Sequence, residues 1–101
     1  MKIDVRFRGL EPSKALREHA VRRLGEELGG HDDAVTAAFV RFVGDVVPRC
    51  QITVVYAQRS GTATLEEVHP DLFTAVDLAA ARLRLARRPA RPHTRLIWTP
   101  A

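Results

Sequence analysis

Six arginines, at 82, 84, 87, 88, 91 and 95, fall within residues 78–101, and no acidic residue stands among them. A guanidinium stays cationic at physiological pH, and its planar fork grips two phosphate oxygens at once. Residues 1–77 hold ten basic and twelve acidic side chains, so a body of net charge −2 carries an end of net charge +6. That split is the footprint of a polyanionic partner, and a solvated tail that only keeps the chain soluble is the plain alternative. Charge by itself does not choose between them. Arg82, Arg84, Arg88 and Arg91 are the candidate contacts in this block.

Other chemistry finds no constellation. The histidines at 19, 31, 69 and 93 are scattered, and no two share one element at zinc-ligand spacing. Asp32-Asp33 reads as loop rather than as a working carboxylate pair, and no glycine loop of phosphate-cradling pattern is present. The one cysteine, Cys50, cannot make an internal disulfide and lies inside an alternating apolar run, as a small buried side chain would. Nothing therefore points to an enzyme, a metal or another cofactor. No run of 18 apolar residues exists, and Met1-Lys2-Ile3-Asp4-Val5-Arg6 alternates where a leader would be continuously apolar, so the expected location is the cytoplasm and no membrane partner is expected.

The elements that must carry these arginines are legible. With 101 residues, 46% of them apolar, the chain is one folded domain. Residues 2–8 alternate, with Ile3, Val5 and Phe7 on one side of a strand. Ser13 caps a helix whose Leu16, Ala20, Leu24 and Leu28 form one apolar stripe, stopped at Gly29-Gly30. A strand over about 34–44 has Ala38, Val40 and Phe42 on one face and Arg41 on the other. Residues 49–57 alternate around Cys50, Ile52, Val54 and Tyr56, and Arg59-Ser60-Gly61 turns the chain into a weaker strand through Val68. His69-Pro70-Asp71 opens a second helix with Pro70 near its first turn; Leu72, Val76, Ala79, Ala80 and Leu83 form its apolar side, and Pro89 and Pro92 end it. The predicted fold is α+β: a β-α-β-β-β-α two-layer sandwich, with a four-stranded sheet and two helices on one face. Asp4, Arg6, Arg8, Gln51 and Thr53 then lie on the sheet face that meets water or a partner. The domain spans 1–88, and 89–101 is an Arg/Pro-rich tail whose Leu96-Ile97-Trp98 folds back onto apolar surface or adds an edge strand.

Certain residues add a resemblance. Met1-Lys2-Ile3 opens directly into the first strand, and Ser13-Lys14-Ala15-Leu16-Arg17-Glu18 is followed by Arg22-Arg23-Leu24. Asp71-Leu72-Phe73-Thr74-Ala75-Val76-Asp77 then runs on to Arg82-Leu83. Together these resemble the hibernation-promoting factor and ribosome-associated inhibitor family (the sigma-54 modulation proteins), in its short single-domain form and over roughly residues 1–88. The resemblance implies a translational silencing factor that occupies the mRNA/tRNA channel of the small ribosomal subunit, touches its rRNA with basic residues and holds idle ribosomes inactive under stress. By position it nominates Arg22 and Arg23 on the first helix and Arg82 and Arg88 on the second. Three features depart from the family pattern: Ala81 where an acid is common, Leu85 where a polar or basic residue is common, and the proline-broken end after Arg88.

Helix one also has a plainer reading, because Glu18–Arg22, Arg22–Glu26 and Arg23–Glu27 all stand four apart and would form a salt-bridged solvent face. On the second helix a wheel puts Arg84 and Arg88 together beside Asp77, with Arg82 on the other flank. Leu78, Ala81 and Leu85 lie away from the apolar stripe: either ordinary exposed residues or a patch forming a weak homo-oligomer through Leu78 and Leu85. The alternative function is thus a homodimeric protein-interaction module whose basic tail binds another acidic partner.

Overall fold

A computed structural model of the chain describes residues 2–28, 35–56, 61–85 and 96–100. The elements are β1 (Lys2–Arg8), α1 (Lys14–Leu28), β2 (Val35–Val43), β3 (Arg49–Tyr56), β4 (Gly61–Val68), α2 (Leu72–Leu85) and β5 (Leu96–Pro100). The β-α-β-β-β-α order is the one the periodicity predicts. One strand is added: β5 pairs antiparallel with β4 from Leu65↔Leu96 to Gly61↔Pro100, so the sheet runs β1-β2-β3-β4-β5. Of the two fates open to Leu96-Ile97-Trp98, the edge strand is the one adopted. It satisfies backbone groups that β4 would otherwise leave unpaired at its outer edge.

β1 and β2 are parallel, as strands joined through a helix can be, and β2, β3 and β4 are antiparallel neighbours. The period-2 pattern sends Val5, Ala38, Val40, Phe42, Cys50, Ile52, Val54, Ala63 and Leu65 inward. They meet Leu16, Ala20, Leu24 and Leu28 of α1 and Val76, Ala79, Ala80 and Leu83 of α2, all buried. Leu72 is half-buried against this core, and Ala75 belongs to it although the stripe read from sequence omits it. Phe7 stacks on Phe42 at 5.3 Å between centroids, and the Arg17 guanidinium lies 5.6 Å over the Phe7 ring. A register shift between Val35 and Ala37 lets both Val35 and Ala38 face inward, which strict alternation forbids.

Local chemistry sets the ends of the elements. The Leu16 N–H donates to Ser13 Oγ at 3.2 Å, the cap expected for α1. Where β1 and β2 end, Gly9 takes φ +69° and the Gly44 N–H donates to Arg8 O at 2.8 Å. A Cβ on Gly44 would collide with the Gly9 carbonyl, so the two backbones touch where only glycine fits.

The second helix starts one step later than His69-Pro70-Asp71 implies. Asp71 is its cap: Oδ1 accepts the Phe73 N–H at 3.0 Å and Oδ2 accepts the Thr74 hydroxyl at 3.0 Å. Pro70 thus lies ahead of the cap rather than in the first turn, because a side-chain oxygen serves the orphan N–H groups better than a residue that merely lacks one. The Thr74 and Phe73 bonds hold the Asp71 carboxyl below the ordinary aspartate range. A depressed folded pKa contributes stability above the unfolded pKa that is lost as pH falls through the folded value. Asp71→Asn is therefore expected to lower the melting temperature at neutral pH and to flatten its fall on acidification. Thermal melts of both proteins across pH 7 to 2 check this; parallel curves would contradict it.

Candidate nucleic-acid interface

α1 and α2 lie side by side over the sheet, and α2 crosses from α1 toward β4. Near its start Phe73 tilts against the His19 ring at 5.3 Å, while near its end Arg82 reaches Glu67 of β4. Asp77 ties the two helices. Its Oδ1 accepts from His19 Nε2 at 2.8 Å and from Arg23 Nε at 3.0 Å. Arg22 Nη2 donates to His19 Nδ1 at 3.0 Å, and because arginine only donates, Nδ1 must be the acceptor and Nε2 must carry the proton. Arg22, His19, Asp77 and Arg23 therefore form one hydrogen-bonded chain across the helix pair.

The six candidate arginines fall into three groups. Arg22 is exposed on α1, held by a neutral acceptor, so its charge stays available. Arg23 and Arg82 are engaged with carboxylates: Arg23 with Asp77 and with Glu26 at 3.5 Å, Arg82 Nε with Glu67 Oε2 at 3.1 Å. Arg84 is set on α2 two residues beyond Arg82; its side chain, that of Leu85, and all of Arg88 and Arg91 lie outside the described residues. The four-apart pairing expected on helix one is realised differently. Glu18 meets Lys14 at 3.9 Å and Arg23 takes Glu26 three residues on, because Asp77 draws Arg23 toward α2 and His19 draws Arg22.

Glu67 carries a further lesson. Alternation along β4 points it inward with Ala63 and Leu65, and its side chain is only 11% exposed. Arg82 lies against it under the end of α2, an ion pair that sequence reasoning missed. Local spacing holds no signal for it; the only clue is an acid at an inward position of a strand. Cys50, across the ladder from Glu67, is fully buried, and burial first and then the nearby Glu67 charge push its thiol up to about 12. Such a thiol is no nucleophile. Among the described residues no His, Cys, Asp or Glu group could hold a metal, and no helix is long and apolar enough to cross a membrane.

The segment Asp71–Asp77 now has a physical account: Asp71 caps, Leu72, Ala75 and Val76 pack, and Asp77 joins the helices. A family model described as sigma 54 modulation protein / S30EA ribosomal protein matches residues 3–87. The chain belongs to this family. Two solved structures are similar to it. A Thermus thermophilus Protein Y N-terminal domain is 26% identical, with a TM-score of 0.73, covering 85% of this chain and 94% of its own. A ribosomal subunit interface protein from Coxiella burnetii is 19% identical, with a TM-score of 0.69, covering 85% of this chain and 92% of its own, and shows the shared fold. No match is found among curated protein sequences. The family description names a ribosomal protein and a modulator, not a catalyst.

Leu78 is 39% exposed on α2, in keeping with an ordinary surface leucine. Leu78→Glu is expected to leave the solution mass unchanged in sedimentation equilibrium. A shift from a heavier wild-type species to a lighter variant would show self-association through this strip.

Proposed function

We propose that this protein is a ribosome-binding translational silencing factor that occupies the mRNA/tRNA channel of the small subunit through basic residues on α1, α2 and the tail. The match over residues 3–87 to a family that includes ribosomal S30EA carries the reading. Its surface chemistry supports it: residues 78–101, which begin inside α2, carry a net charge of +6, and Arg22 stays exposed on α1. Structured RNA is gripped largely by backbone and shape, a task suited to arginines on a rigid scaffold. Arg22, Arg84, Arg88 and Arg91 are the proposed rRNA contacts, with Arg23 and Arg82 exchanging their carboxylates for phosphate or staying as buttresses. Action on cytoplasmic ribosomes follows from the same reading.

Competition tests the channel. Small subunits preloaded with mRNA and tRNA should lose most of their capacity for this protein, and the protein should block mRNA loading in turn. Simultaneous full binding of both would place it elsewhere on the ribosome.

A further inference from the structure

The sheet face turned away from the helices holds a second cluster that the helix-side reading does not use. In register across β1, β2 and β3, Asp4, Phe39 and Thr53 form one row, and Arg6, Arg41 and Gln51 form the next. These residues line a shallow groove of about 290 Å³. Phe39 stands in it 41% exposed. Arg6 and Arg41 are direct neighbours in the parallel ladder, and like charges so placed destabilise a sheet. Asp4 relieves half of this by accepting from Arg6 Nε at 2.8 Å, a bond that lowers its own carboxyl pKa. Arg41 is exposed and has no hydrogen-bond or ion-pair partner among the described residues. Lys2 and Arg8, both exposed, extend the positive charge along β1. Thr53 shares a hydrogen bond with Thr64 and Gln51 donates to Glu66, and each keeps further donor or acceptor capacity.

An exposed ring beside two guanidiniums that share a single carboxylate, with hydroxyl and amide groups around them, matches the parts of a nucleotide: a flat base, a phosphate and hydrogen-bonding edges. We propose that this groove binds an unpaired stretch of RNA, with Phe39 stacking on a base and Arg41 and Arg6 holding adjacent phosphates. Asp4 accepts from an exocyclic amine of the stacked base, so cytosine or adenine fits better than uracil. An acidic peptide would satisfy the arginines and leave the ring unused. The helices cover the other side of the sheet, so this contact is made on a different face from Arg22 and α2.

Fluorescence anisotropy with a labelled ten-nucleotide oligo(C) at low salt tests the proposal, with thermal melts confirming that each variant is folded. Phe39→Ala should weaken binding about tenfold. Arg41→Ala should weaken it similarly and reduce the salt slope by roughly one unit. Lys14→Ala, an exposed α1 residue outside both proposed contact sets, should bind as wild type does, and amide shifts should map to β1, β2 and β3. Absent wild-type binding, unchanged affinity in both groove variants, or shifts confined to the helices would overturn the proposal. Co-sedimentation of the wild type with small subunits separates the two readings: its presence beside a negative oligonucleotide result removes the groove alone, and its absence removes the ribosome reading alone.

Discussion

Reversing Arg22, Arg84 and Arg88 together to Glu is expected to release the protein from small ribosomal subunits while leaving its fold intact. Arg22 donates to a histidine rather than a carboxylate, so its loss leaves no buried charge behind. Arg84 stands on a helix whose described core, Val76, Ala79, Ala80 and Leu83, is already complete without it. Each arginine that meets a phosphate releases roughly one counterion, so losing three should lower the salt slope by about three units. Affinity should fall about a thousandfold at low salt, roughly tenfold per contact. Gradient fractions of subunits mixed with each protein give the measurement. Full retention of a folded triple variant would move the contact surface off this side.

Arg82 behaves differently, and its variant has the largest expected effect on stability. It lies against Glu67, whose carboxylate is largely shielded by the end of α2. Reversal to Glu would set two carboxylates against each other where neither is well hydrated. Breaking a buried pair typically costs about 3–5 kcal/mol, and the partial exposure here lowers that to roughly 2–3 kcal/mol. For a domain of this size the melting temperature should drop by about 10–20 °C. Arg82→Met combined with Glu67→Met should cost much less than Arg82→Glu, because removing both charges leaves none unpaired. An unchanged melting temperature in Arg82→Glu would show that the pair carries no stability. Loss of ribosome binding in that variant alone therefore does not identify a contact. A charge-reversal test of the interface is cleaner without position 82.

Most of the fold is legible because each element announces its own period. Leu16, Ala20, Leu24 and Leu28 recur every fourth residue, and Cys50, Ile52 and Val54 every second, so one stripe and one face follow without knowledge of neighbours. Ser13 is equally local, since a cap acts within one turn. Features that depend on residues far apart in sequence are not legible. Asp77 meets His19 and Arg23 across more than fifty positions, and nothing beside Asp77 marks it as a bridge. Glu67 looks like half of an exposed acidic pair until β4 is paired and the alternation turns it inward toward Arg82. The irregularity at Val35/Ala37 is hidden for the same reason: one extra residue shifts the register without altering composition. The candidate site was thus legible as a charge block and a pair of helices. Which of its arginines are already engaged was not, because that depends on the partner each side chain finds in space.

Sedimentation of the wild-type protein with purified small subunits across a salt series tests the central claim most directly. The account predicts near-complete co-sedimentation in low salt and a steep decline as salt rises, with a log–log slope of several units. A protein that stays at the top of the gradient even in the lowest salt would contradict it.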